Sequence, residues 1–315
     1  MTTAIVLSSY NGSQYIREQL MSLASQSLKA DRVYISDDGS SDDTVQIVKN
    51  FIAENSLDNW QIKVNEVNKG WMRNFRDLLM SAEEDLIFLC DQDDIWMEDK
   101  LSTMVSIMED HPEIDLLTCG YEPFYEDSTR HVNSKITADM KNSGSLAKIP
   151  MNEKFMNVLR PGCTFLVRKT FCKEIEQFWP DKVAHDAVLW RMAAVKGTGY
   201  VLDKNLIKWR RYDSSSSNPN HDKAAAETPK QLRYRKTLEA IDSHLSYLDK
   251  AKAYAGRIDQ SQALAVIGRN IKFEQDYKDA VTDRSFIRVL LCGIKNIKFF
   301  VSWKTIIADA LMLKG

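Results

Sequence analysis

Two acidic clusters, each placed directly after an apolar run, constrain this 315-residue chain more than any other feature. Asp37-Asp38-Gly39-Ser40-Ser41-Asp42-Asp43-Thr44 follows Val33-Tyr34-Ile35, and Asp91-Gln92-Asp93-Asp94 follows Leu86-Ile87-Phe88-Leu89-Cys90 about fifty residues later. Short apolar runs bounded by turn residues read as buried strands. Both clusters are therefore expected at the carboxyl ends of neighbouring strands, where open α/β sheets place their ligands. Carboxylates converging there suit a hard divalent cation, Mg2+ or Mn2+, held against a diphosphate. Asp42, Asp43 and Thr44 also precede Val45, Val48, Phe51 and Ile52 on one helical face, so capping accounts for Asp42 and Asp43. Asp37 and Asp38 come before the glycine turn and are not needed for that cap.

The surrounding chain alternates strand and helix patterns. Ala4-Ile5-Val6-Leu7 reads as a buried strand, and Ile16, Leu20 and Leu23 follow at helical spacing. Val33 to Ile35 is a second strand, and the helix after Asp42 leads to Ile62-Lys63-Val64, which alternates as a strand does. Met72, Phe75, Leu78 and Leu79 mark a third helix before the strand that delivers Asp91. This alternation predicts an α/β fold with a mostly parallel sheet covered by helices. Ile114 to Thr118 and Thr164 to Val167 add later strands, while Glu126 to Pro150 is polar with little period and reads as a mobile loop. Ser214 to Ser217, followed by Asn218-Pro219-Asn220, marks a boundary. It divides a unit at 1–215 from a helical extension at 216–315.

Four motifs in order give the chain a family likeness. Ser8-Ser9-Tyr10-Asn11-Gly12, Asp37-Asp38-Gly39-Ser40-Ser41-Asp42, Asn68-Lys69-Gly70 with Asn74, and Asp91-Gln92-Asp93-Asp94-Ile95-Trp96 resemble the motifs of family 2 inverting glycosyltransferases over roughly the first 215 residues. The Asp-Gln-Asp-Asp-x-Trp form is similar to bacterial rhamnosyltransferases that build cell-wall and capsular polysaccharides. The resemblance implies a GT-A type fold and a donor site at Ser8, Tyr10, Asn11, Asp38, Arg73, Asn74 and Asp91. Tyr10 would stack on the nucleotide base, and Asp38 would accept from its imide N–H. Asp93 matches the metal-binding aspartate, Asp91 would contact metal or ribose, and Asp94 would stand behind them. Arg73 reads equally well as a solvated helix residue.

Inverting transfer requires a base to deprotonate the acceptor hydroxyl as it attacks the anomeric carbon opposite the departing diphosphate. The resemblance places that base at Asp186, in His185-Asp186-Ala187-Val188-Leu189-Trp190, although an aspartate there also suits a helix start. Trp96, Gly162 and His185 fall on the acceptor side. The residue before the base is often acidic in the family; here it is His185. A second departure is Trp209-Arg210-Arg211-Tyr212-Asp213, with Tyr212 where relatives carry a histidine able to reach the metal. Arg210 or Arg211 is then expected to hold the diphosphate, since guanidinium suits phosphate oxygens.

The C-terminal segment raises a separate question. Arg284, Arg288, Lys295, Lys298, Lys304 and Lys314 face one acid, Asp309, while Ile287, Leu290, Leu291, Ile294, Ile297, Val301 and Trp303 supply an apolar surface. Such a pattern fits a membrane interface, and equally a face packed on the catalytic unit or on a second copy. No stretch is apolar enough to span a bilayer, because Arg288, Lys295 and Lys298 interrupt the longest ones. A net charge of −2 argues against general nucleic-acid binding. Five scattered cysteines without a C-x-x-C pair read as reduced, mostly buried thiols. With no secretion signal visible, the expected location is cytoplasmic, peripheral at the inner face of the cell membrane if the acceptor is lipid-linked.

These readings converge on a metal-dependent transferase moving L-rhamnose from dTDP-L-rhamnose to a glycan or lipid-linked saccharide. The alternatives are a UDP-sugar donor, or a non-catalytic sugar-nucleotide-binding scaffold, which would not need Asp186. Acceptor, linkage and homo-oligomerisation are left open by the sequence.

Overall fold

The computed structural model describes residues 1–125, 141–181, 183–211, 228–300 and 302–313. Strands β1 (Thr3–Ser9), β2 (Arg32–Asp37), β3 (Trp60–Val64) and β4 (Leu86–Cys90) alternate with helices α1 (Ile16–Ala24), α2 (Thr44–Glu54) and α3 (Trp71–Ser81). Next come β5 (Ile95–Trp96), α4 (Lys100–Asp110), β6 (Leu116–Tyr125), β7 (Leu146–Lys148), β8 (Phe165–Arg168), α5 (Lys169–Ile175), α6 (His185–Lys196) and β9 (Gly199–Arg211). Four helices finish the described chain: α7 (Pro229–Arg257), α8 (Ser261–Thr282), α9 (Phe286–Lys295) and α10 (Trp303–Met312).

The nine strands form one sheet in the order β3-β2-β1-β4-β8-β6-β9-β5, with β7 also on β9. The expected mostly parallel sheet is corrected to an evenly mixed one. Four pairings are parallel and four antiparallel. An apolar run shows that a strand is buried, not which way it points; β8 runs against both its neighbours, β4 and β6. The predicted loop from Glu126 to Pro150 is corrected in part, because Leu146–Lys148 pairs with β9; residues 126–140 lie outside the described ones.

Register explains why the acidic clusters meet. β1 lies between β2 and β4, with Ser9 opposite Asp37 and Leu7 opposite Cys90, so all three strands end at one level. Alternate residues of β1 bury in opposite directions: Ala4 and Val6 join one apolar cluster, Ile5 and Leu7 the other. Both faces of these strands are covered, so they are apolar throughout.

Helices α7 and α8 contribute Tyr247, Tyr254, Ala255, Val266 and Ile267 to the cluster formed by α3, α5 and α6. A third cluster joins Ile241, Phe273, Tyr277, Val289 and Ala310 across α7 to α10. The expected boundary at 215/216 falls in 212–227, outside the described residues. All five cysteines are free, four of them buried.

Candidate active site

The loop after β1 is tied across the top of the sheet by Gln92. Its side-chain amide accepts from Tyr10 N at 2.9 Å and donates to Tyr10 O at 3.1 Å. Gly12 makes this possible, since a Cβ there would stand 2.2 Å from Gln92 Oε1. Tyr10 remains nearly half exposed, available for stacking. Asn11 is exposed and accepts from Ser41 N at 2.9 Å, while Asn11 N donates to Ser40 Oγ at 2.8 Å. The two acidic segments are thus laced to one loop. Gln92 was legible only as the filler of its motif; nothing in the sequence pairs it with Tyr10.

The first cluster is saturated from within. Asp37 is fully buried and accepts from Ser9 Oγ (2.8 Å), Ser40 N (2.8 Å) and Ser40 Oγ (2.6 Å). Asp38 is also buried, and its oxygens accept from Asn65 Nδ2 (3.0 Å), Lys69 N (2.9 Å) and Gly70 N (2.9 Å). The carboxylate expected to read a base edge fixes the Asn65–Gly70 turn in this conformation, where Gly70 has φ +82°. Asn74, buried at the start of α3, donates to Ser8 Oγ and Ser36 O and accepts from Ser36 Oγ and Asn65 Nδ2. It too is a scaffold residue, leaving half-buried Ser8 at the open side. Arg73 is exposed on α3. Of the two expected caps of α2 only Asp42 acts: its Oδ1 accepts from Thr44 N at 3.1 Å and its Oδ2 from Ser13 N at 3.0 Å, whereas Asp43, at the N-cap position, makes no side-chain cap bond.

The second cluster brings acids close to one another. Among the described residues, donor atoms of Asp91, Asp94 and Cys163 lie within 4.8 Å of one another. Burial first, then the Asp94, Asp93 and Asp186 carboxylates, push Asp91 well above the ordinary carboxyl range. Asp94 is pushed up to about 7, again by burial and then by Asp93, against the Cys163 thiol and Arg210 N–H that stabilise its anion. Its Oδ1 accepts from Arg210 N at 3.0 Å, whereas Oδ2 is buried with no partner. An orphaned carboxylate oxygen beside a second carboxylate is what a hard cation would satisfy, so the set fits Mg2+ or Mn2+. Cys163 fits less well as a ligand: thiolate is soft, and burial first raises its pKa well above the usual thiol value. Asp93, assigned the metal by resemblance, is half-buried and not in this group. Tyr212 lies outside the described residues.

Asp186 sits in the first turn of α6, half-buried, where the helix dipole favours a carboxylate. Its neighbour His185 is buried against Phe75, ring centroids 4.1 Å apart, with neither ring nitrogen hydrogen-bonded. Burial lowers its pKa and keeps the imidazole neutral. Gly162 leaves room for it, since a Cβ there would lie 2.5 Å from His185 Nε2. His185 is corrected from an acceptor contact to a wall holding the start of α6 against α3.

Two further expectations are corrected by burial. Trp96 is 2% exposed, lying in the core beneath Lys100 Nζ, which is 3.3 Å from its ring centroid and donates to Cys163 O at 3.0 Å. The Arg210 guanidinium is sandwiched between Tyr15 and Phe124, paired with Glu18, and donates through Nε to Asp93 O at 2.8 Å. It braces the acidic loop. Arg211 is half-buried and stacks on Trp209 at 4.3 Å.

This arrangement of strand-end carboxylates on a mixed sheet defines a GT-A-like fold. The chain matches the model of Glycosyl transferase family 2 over residues 4–175, more than half its length, and belongs to that family. It is 24% identical over 226 residues to the dTDP-rhamnosyl transferase RfbG of Shigella flexneri, covering 68% of this chain and 74% of that protein. Staphylococcus aureus TarS 1-349, solved in complex with UDP-GlcNAc, has a TM-score of 0.60 at 18% identity over 99% of this chain and 90% of that one. The mannosyltransferase PcManGT from Pyrobaculum calidifontis, in complex with GDP-Man and Mn2+, has a TM-score of 0.51 at 15% identity, covering 99% of this chain and 84% of that one. At those identities the structural likeness is one of fold.

Proposed function

We propose that this glycosyltransferase is metal-dependent and inverting, and moves L-rhamnose from dTDP-L-rhamnose to a glycan or lipid-linked acceptor in bacterial surface polysaccharide synthesis. The observation that carries the chemistry is the approach of Asp186 to the acid cluster: a Cβ on Gly162 would lie 3.4 Å from Asp186 Cβ, and the next residue, Cys163, has its sulfur within 4.8 Å of carboxylate oxygens of Asp91 and Asp94. In the proposed reaction the acceptor oxygen forms a bond to the anomeric carbon while the bond from that carbon to the diphosphate oxygen breaks. The hydroxyl proton passes to the Asp186 carboxylate. Asp91 and Asp94 would hold the cation, with Asp93 beside them, and bound Mg2+ or Mn2+ would offset charge on the leaving diphosphate. The Mn2+ in the PcManGT complex supports that cofactor. Tyr10 and Ser8 line the donor side, where exposed tyrosine suits a nucleotide base.

The rhamnosyl donor is supported by the name of the Shigella relative, and a UDP-sugar by the UDP-GlcNAc complex of TarS. Product analysis with dTDP-L-rhamnose and a panel of UDP-hexoses separates them. An α-L-rhamnosidic product from the first donor is expected. Exclusive turnover of a UDP-sugar would replace the donor and leave the chemistry standing, whereas donor binding without any turnover would favour the scaffold reading. Among the described residues no helix is long and apolar enough to cross a membrane; the reading has a lipid-linked acceptor met at the membrane surface.

A further inference from the structure

We propose that the outward face of α9 and α10 is a docking surface for an anionic lipid bilayer. Five large apolar side chains there and in the turn between the two helices, Ile287, Leu291, Ile294, Ile297 and Trp303, are each more than half exposed. Packing cannot explain them, because each helix already buries its other side: Val289 and Gly293 on α9, Ile306 and Ala310 on α10. Gly293 lets the two helices close, since a Cβ there would stand 2.3 Å from Ile306 Cγ2. Ile287, Leu291 and Ile294 recur at helical spacing as one stripe, and Ile307 and Leu311 continue the stripe begun by Trp303 on the second helix. Contiguous exposed apolar surface with a basic border is the pattern of a helix lying in a membrane interface.

Charge selects the partner. From residue 284 onward the chain carries six Lys and Arg against a single acid, Asp309. That acid is turned inward, 2.6 Å from Arg233 Nη2 and accepting from the Tyr277 hydroxyl at 3.0 Å. Arg288 is paired with Asp283 and Lys298 with Glu153, so Lys295 and Lys304 are the cations to alter. A two-fold contact between copies would set like charges against each other, whereas anionic headgroups complement them. The inference rests on the proposed function only in making a lipid-linked acceptor the reason for docking; lipid binding itself needs neither donor nor catalysis.

The test is co-sedimentation of the full chain with phosphatidylcholine vesicles, with and without phosphatidylglycerol, in the absence of nucleotide sugar. Wild-type protein is expected to bind the anionic vesicles at low salt, at least tenfold more weakly at about 1 M salt, where the screening length falls to about 3 Å. Lys295→Glu with Lys304→Glu should weaken binding tenfold or more, and Leu291→Ser with Ile294→Ser should abolish it while donor turnover persists. Lost vesicle binding with retained turnover separates this inference from the transferase reading. Absence of wild-type binding to anionic vesicles, or equal binding to neutral ones, would overturn it. So would a dimer by light scattering that the serine variant dissolves without any lipid binding.

Discussion

At the strand ends, Asp37, Asp38 and Asp94 are buried carboxylates; on α9 and α10, isoleucine, leucine and tryptophan stand in water. Each region breaks the ordinary partition of polar and apolar groups, in opposite directions, and each departure has a physical cost. Asp37, Asp38 and Asn74 offset that cost internally, with every buried oxygen accepting donors from neighbouring turns. Asp91 and Asp94 do not: they share a field of like charge, and one oxygen of Asp94 is orphaned. The exposed stripe is likewise uncompensated within the chain. Uncompensated groups invite a ligand, and the two proposals differ in which one: a cation with a diphosphate at the first region, a lipid surface at the second.

The sharpest break in this comparison is Asp186→Asn, which keeps shape and removes the proton acceptor. Transfer is expected to fall by roughly two to four orders of magnitude, with nucleotide affinity, thermal stability and vesicle binding unchanged. Single-turnover product formation reads the first, and a near wild-type rate would assign the base elsewhere. Next in size, Asp91→Asn should reduce the metal enhancement of nucleoside-diphosphate binding by about tenfold or more, as loss of a cation ligand does. Calorimetric titration with and without Mn2+ in this variant and in Asp93→Ala decides whether the cation sits with Asp91 and Asp94 or with Asp93. An undiminished metal effect in both variants would remove the cation from this cluster. Gly293→Val is the smallest change and acts only on the second region. Its added carbons meet Ile306, whose β-branched side chain cannot swing aside, so overpacking should cost about 1–3 kcal/mol. A lower melting temperature and weaker vesicle binding with unchanged turnover are expected; a loss of transfer would show that the hairpin supports the chemistry.

Much of the site was readable because its signals are local. Asp37-Asp38 and Asp91 to Asp94 end strands β2 and β4, and Asp186 opens α6. What could not be read was the partner of each side chain. Arg210 and Asp94 are 116 positions apart, Lys100 and Cys163 are 63, and Tyr10 and Gln92 are 82. A guanidinium in a sequence looks the same whether it meets phosphate or lies between Tyr15 and Phe124. Trp96 and His185 have the composition of ligand contacts, yet both are buried.

By itself the sequence determined the alternation of β1 to β4 with α1 to α3, the level at which acids emerge, and the amphipathic pattern of the last helices, since burial periodicity is written over a few residues. Tertiary structure decided the reversal of β8 and the joining of Cys163 to Asp91 and Asp94. It also closed Asp38 by the Asn65–Gly70 turn and left the Ile287–Leu291–Ile294 stripe uncovered. The physical reason is that pairing direction, desolvation and the filling of a hydrogen bond depend on which distant segment arrives, and apolar stripes look alike until packing chooses the side that stays wet.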